Sequence, residues 1–339
     1  MCRRILEKGR INLKIVLSPM AGVNDKIFRE LCLSTGADIA FTEMISVNGL
    51  TSKNRKSYAM IPDDPNHIVQ LFGKDPELFL KSAEMVRNKN GSNWIDINAG
   101  CPVKKVVKHG YGAALMEEPK KIREIVETLS KNGFKVSIKI RLGREKNENY
   151  IQVAQAASDG GAFLISIHGR TVEQGYAGKA DWESAKILKE KFPNVKIGLS
   201  GDIFTYLDAY HAIKQTKADF LLVARGAIGN PWIFGNIKRY FESQNPPHVD
   251  LEERKRIFNI HFDKTIDEYG IHGIIFFRKF LVAYLKGLPN SHEVKIDALK
   301  ESNAKNVKRI VNSFFDKLIS CEQGGVERGN IEGQFKIQS

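Results

Sequence analysis

The stretch Lys135-Val136-Ser137-Ile138-Lys139-Ile140-Arg141 sets apolar side chains in alternation with Ser137, Lys139 and Arg141. Alternation with a period of two marks a β-strand with two different faces. An amphipathic run over 119–131 precedes it and another over 148–159 follows, each long enough for a crossover helix. Working outward, β-rich runs fall at 15–18, 38–42, 67–72, 93–98, 162–168, 195–199 and 219–224, and further helical patterns at 25–34, 76–88, 181–191 and 204–214. Strand–helix alternation with eight strands before residue 245 predicts an α/β fold, a (β/α)8 TIM barrel.

The linker over 242–250 contains Asn245-Pro246-Pro247, and beyond it the strand signal gives way to helical periodicity. We therefore expect a barrel domain over 1–244, a small C-terminal all-helical domain over 250–320, and a polar, glycine-rich tail over 321–339. With 339 residues and 42% apolar composition, the chain can bury a large core. Wholesale disorder and a disulfide scaffold are excluded.

Lysine and arginine exceed acidic residues by 13, and the excess is spread over the folded regions. Such a surface suits a polyanionic partner. Cys2, Cys32, Cys101 and Cys321 form no CxxC pair, and no secretory signal is visible, so a cytoplasmic protein is expected; a monomer is expected as well. The longest apolar runs, 161–167 and 274–285, are short or broken by Arg278 and Lys279, below the ~18 residues of a membrane span. No metal centre is expected, because HExxH and similar ligand spacings are missing. GxSxG and GxxxxGK[ST] are missing too, which weakens hydrolase and P-loop readings.

Strand parity locates the candidate site. Gln70, Asn98, Lys139 and His168 fall on interior parity near the C-terminal ends of four neighbouring strands, where barrel active sites gather. A cationic Lys139 there calls for an anionic or polar ligand, since burying an unpaired charge is costly. Gly201-Asp202 closes strand seven and Arg225-Gly226-Ala227-Ile228-Gly229-Asn230-Pro231 closes strand eight, a position suited to a phosphate cradle. Cys101 follows strand four in Asn98-Ala99-Gly100-Cys101-Pro102, and the stretch 103–116 reads as a mobile loop over the mouth. A thiol with an ordinary pKa of about 8.5 is mostly protonated at pH 7, so Cys101 can serve as an acid.

These residues resemble the tRNA-dihydrouridine synthases, the bacterial B-type enzymes in particular. The resemblance rests on Ser18-Pro19-Met20-Ala21-Gly22-Val23-Asn24-Asp25, Thr42-Glu43-Met44, Val69-Gln70-Leu71-Phe72-Gly73, residues 96–116, Lys139-Ile140-Arg141, Ile167-His168-Gly169-Arg170-Thr171, Gly201-Asp202-Ile203 and residues 225–234. It implies an FMN enzyme that reduces uridine in tRNA with NADPH or NADH as electron donor. By that resemblance Pro19, Met20 and Ala21 line the flavin. Gln70, Lys139 and His168 contact it, and Ser200, Gly201, Asp202, Ala224 and Arg225 hold its phosphate. Cys101 is the implied proton donor, with Asn98 and Arg141 as candidate substrate contacts.

Three positions depart from the family pattern: Ser200 replaces an asparagine, Ala224 a glycine, and Phe280 a histidine that would bear on RNA contacts of the helical domain. Two alternatives stay open at this point. One is a small-molecule flavin reductase of the dihydroorotate or dihydropyrimidine dehydrogenase type on the same barrel. The other is a catalytically silent RNA-binding protein.

Overall fold

A computed structural model describes residues 13–145 and 149–323. Eight parallel strands close into a barrel in chain order: β1 (Lys14–Leu17), β2 (Ile39–Ser46), β3 (His67–Phe72), β4 (Trp94–Ala99), β5 (Lys135–Ile140), β6 (Leu164–His168), β7 (Lys196–Ser200) and β8 (Phe220–Val223). Closure comes from β1 pairing with both β2 and β8. The chain is thus a TIM barrel followed by a helical region, as the alternation predicts.

Helices between the strands start and stop where local chemistry dictates. Asp25 caps Lys26–Ser34 by accepting from the Phe28 N–H. Asp75 caps Pro76–Asn90, with proline in the first turn and left-handed Gly91 at its end. Thr205 and Asp208 form a reciprocal capping box at the start of Tyr206–Thr216. Pro119–Lys131 buries Ile122, Ile125, Val126 and Leu129 at helical spacing, one apolar stripe against the barrel layer.

The observed β2 runs four residues beyond the expected end at 42. A register break between Phe41 and Met44 lets it continue through Glu43 to Ser46. The stretch 103–116, expected as a mobile loop, instead holds a short helix at Lys104–Val107 and a 3-10 turn at Gly112–Glu117. Val106, Leu115 and Met116 are buried there, which gives this segment packing that its glycines and lysines do not advertise.

The described residues divide into two compact units, and the division is not one cut at the linker. The barrel unit includes Pro231–Pro246, whereas Ile228–Asn230 belong with the helical unit. Gly229 lies so close to Ala283 that a Cβ would come within 2.5 Å of its side chain, and its φ of +68° also favours glycine. The helical unit contains Leu251–Tyr269, Ile271–Tyr284, Ser291–Lys300 and Ala304–Gln323. Of the expected tail over 321–339, residues 321–323 belong to that last helix and the remainder lies outside the described residues.

The departure at Phe280 has a packing reason. Its ring is fully buried, 4.5 Å from His261 and 5.7 Å from Phe277 between ring centroids. Phe280 is a core residue of the helical unit, which accounts for an aromatic side chain at this position.

Candidate active site at the barrel mouth

The barrel interior is apolar at one end and polar at the other. Val16, Phe41, Ile68, Leu164, Phe220 and Leu222 form the apolar layer. Above it, strand register sets Gln70 beside Asp96, Asp96 beside Ser137, Asn98 beside Lys139, Lys139 beside Ser166, and His168 beside Ser200. Four of the residues named from parity therefore do occupy one end of the cylinder.

Hydrogen bonds join part of that set. Asn98 donates Nδ2–H to Gln70 Oε1 at 2.8 Å, and its Oδ1 accepts from the backbone N–H of Cys101 at 3.0 Å and of Gly100 at 3.3 Å. Gln70 in turn donates to Asp96 at 2.7 Å, and Ser137 donates to the other Asp96 oxygen at 2.6 Å. Asp96 is a buried member of this network that the sequence motifs alone do not single out. Its position two residues before Asn98, on the same parity, was the available signal. Burial pushes its carboxyl up to about 6, opposed by the Ser137 and Gln70 hydrogen bonds and by Lys139.

Lys139 is half-buried, and burial with Arg141 nearby lowers its ammonium to about 8. Its Nζ makes no hydrogen bond or ion pair among the described residues. The Ser166 hydroxyl beside it is buried without a partner. Burial also raises the Cys101 thiol, although Arg141 and Lys139 oppose the shift, so the sulfur keeps its proton at neutral pH.

Arg141 is mostly committed to the chain itself. It donates from Nε to the Gly100 carbonyl at 2.9 Å, and from Nη1 to those of Thr171 at 2.8 Å and Gly175 at 3.1 Å. It clamps the turn before Cys101 to the loop after β6, and its Nη2 makes no hydrogen bond among the described residues. Pro19, Met20 and Ala21 lie at the mouth beyond β1. There Asn24 donates to the carbonyls of Ser18 and Phe41, and Glu43 accepts from the Gly22 N–H.

The loops after β7 and β8 touch: a Cβ on Gly226 would come within 2.1 Å of the Ile203 carbonyl oxygen. The backbone N–H groups of Gly201, Asp202 and Ala224 have no acceptor among the described residues. The Asp202 carboxylate faces away from any phosphate role, because Arg170 holds both its oxygens, at 2.8 and 2.6 Å, and Arg225 reaches one at 3.4 Å. Only its N–H is offered to an anion. Arg225 also lies against the rings of Tyr176, at 4.3 Å, and Phe204, at 5.3 Å. Free N–H groups, the Arg225 guanidinium and unpartnered Lys139 suit a ligand with a phosphate tail and an electron-rich ring. Among the described residues no cluster of side chains could hold a metal, and no helix is long and apolar enough to cross a membrane.

A parallel (β/α)8 barrel with a polar mouth, a thiol and an anion cradle defines a class of barrel proteins with ligand sites at the C-terminal strand ends. Residues 16–319 match the dihydrouridine synthase family, and the chain belongs to it. It is 34% identical to tRNA-dihydrouridine synthase B of Shewanella oneidensis over 323 residues, covering 93% of this chain and 99% of the relative. With tRNA-dihydrouridine synthase B of Vibrio vulnificus the identity is 35% over 318 residues, 91% and 97% of the two chains. The fold alone is shared with 2-naphthoyl-CoA reductase, at a TM-score of 0.51, 11% identity, 67% coverage of this chain and 50% of that one.

Proposed function

We propose that this protein reduces uridine in tRNA to 5,6-dihydrouridine, with FMN as cofactor, NADPH or NADH as electron donor, and Cys101 as the acid. The observation that carries the reading is the seat of Cys101. Its backbone is fixed by Asn98 beside Lys139, and its thiol stays protonated.

When bound, FMN supplies a hydride to C6 of the uracil ring. Cys101 gives its proton to C5, so one hydride and one proton add across the C5–C6 double bond, and the thiolate regains a proton from solvent. Pro19, Met20, Ala21, Gln70, Lys139 and His168 would hold the ring system. Ser200, the N–H groups of Gly201, Asp202 and Ala224, and the Arg225 side chain would hold the phosphate. Lys139 would stabilise negative charge on the reduced ring. Asn98 and the remaining donors of Arg141 would meet the uracil. Because a stacked base hides C5 and C6, the target must be extruded into the mouth.

Basic residues of the barrel domain over 1–244 and the helical domain over 250–320 would grip the tRNA backbone, with salt-sensitive affinity. The excess of 13 cationic side chains supports this, as do the names of the relatives. The test is reduction of unmodified tRNA by the FMN-reconstituted protein and its Cys101→Ala variant. The variant should keep the flavin spectrum and oxidise the nicotinamide, yet form little dihydrouridine. Equal product from both proteins would overturn the acid role, and no product from wild type would overturn the substrate.

A further inference from the structure

His168 ends β6 with its ring turned edge-on to the loop after β7. A Cβ at Gly201 would meet its Cδ2 at 2.9 Å and its Nε2 at 3.3 Å, so that edge is packed. On the same edge, Arg170 Nη1 lies 3.3 Å from Nε2. Nδ1 is on the opposite edge and has no hydrogen-bond partner among the described residues.

Arg170 cannot swing away. It is 1% exposed, and it donates from Nε to Ala177 O at 3.0 Å and from Nη2 to Gly178 O at 2.6 Å as well as to Asp202. Every guanidinium nitrogen is a donor, and arginine stays charged in proteins. The Nη1 contact is therefore a hydrogen bond only if Nε2 carries a lone pair. A neutral imidazole has a single N–H, which must then be at Nδ1.

We propose that Arg170 is a positioning residue that fixes His168 as the Nδ1–H tautomer, so that the ring offers the barrel mouth one N–H donor and no acceptor. The ligand chemistry that fits is an oxygen or nitrogen acceptor on an electron-rich ring. On the flavin reading above, from which this deduction about the ligand follows, that ring is the isoalloxazine. Burial and the surrounding cations Lys139, Arg141, Arg170 and Arg225 hold the imidazole neutral, which agrees with the assignment. The Tyr176 ring is centred 6.2 Å from that of His168.

The tautomer is read directly from long-range nitrogen–proton correlation spectra of the labelled apoprotein, with the His168 signals assigned by their loss in His168→Gln. A protonated Nδ1 and bare Nε2 are expected, and a ring protonated at Nε2, alone or with Nδ1, overturns the proposal. In Arg170→Gln the preference for Nδ1–H should fall, whereas an unchanged spectrum would show that Arg170 does not set it. Should that variant fail to fold, the isosteres His168→Asn and His168→Gln decide. The first places its amide near Nδ1 and the second near Nε2, so Asn should bind FMN roughly tenfold more tightly than Gln. Equal or reversed affinities would overturn the donor role. A wild type that binds no FMN would overturn the flavin reading while the apoprotein spectrum still judges the tautomer.

Discussion

Gln70 donates Nε2–H to Oδ2 of Asp96 at 2.7 Å, and this contact gives direction to a whole chain of hydrogen bonds inside the barrel. At one end the Trp94 indole N–H, a donor only, reaches Ser137 Oγ at 3.1 Å, which passes its own proton toward Asp96. At the other end the backbone N–H groups of Gly100 and Cys101 donate to Asn98, which donates to Gln70. Two donor-only ends meet at one acceptor. The ionised carboxylate of Asp96 thereby fixes which way both amides point and how the turn bearing Cys101 is held.

Holding that carboxylate in a dry interior has a pH signature. The Asp96 pKa in the folded chain, about 6, exceeds the ordinary 3.8, so the folded state binds its proton more tightly than the unfolded state does. Stability from this group is then greatest below pH 4, falls as pH rises to 6, and is flat above. Relative to Asp96→Asn, wild type should lose up to about 3 kcal/mol across that window. Urea unfolding of both proteins from pH 4 to pH 8 checks this, and parallel curves would refute it.

Lys139 has the opposite polarity of shift. Its folded pKa of about 8 lies below the ordinary 10.5, so the unfolded state holds the proton more tightly. Below pH 8 the folded chain bears the full cost of the half-buried charge, and stability rises between pH 8 and 10.5. Lys139→Met should therefore stabilise the apoprotein by about 1–2 kcal/mol at pH 7 while cutting tRNA reduction at least ~100-fold. A variant both less stable and fully active would contradict the assignment.

Cys101 should react slowly as a nucleophile. Because its thiol is shifted up by burial, alkylation followed at the Cys101 peptide should still be accelerating above pH 9. A plateau below pH 8 would instead mark a preformed thiolate and sink the acid role.

Restoring the family histidine at Phe280 should weaken the helical unit. Phe280→His would bring a second imidazole against His261 in an apolar core, at a cost of about 1–3 kcal/mol. The deficit should grow below about pH 6.5, where the unfolded histidine gains a proton that the buried one resists. Arg278→Ala, at an exposed position of the same helix, should change unfolding by less than about 0.5 kcal/mol. If Phe280→His unfolds like wild type at both neutral and acid pH, the packing account of this position is wrong.

Much of the barrel was legible in the chain because the information is local. Alternation along residues 135–141 determines which side chains face inward, and amphipathic spacing determines the crossover helices. Together they put Gln70, Asn98, Lys139 and His168 at one end without any coordinates. What tertiary structure alone decided are contacts across strands and loops. The Asp96 chain depends on the register between three strands, and the Arg170 contacts depend on how two loops fold back over β6 and β7. The engagement of Arg141 with carbonyls, the withdrawal of the Asp202 carboxylate from the cradle, and the burial of Phe280 are of the same kind. Periodicity reports which face a residue occupies, but hydrogen-bond partners and charge environments arise only when distant segments are brought within a few ångströms.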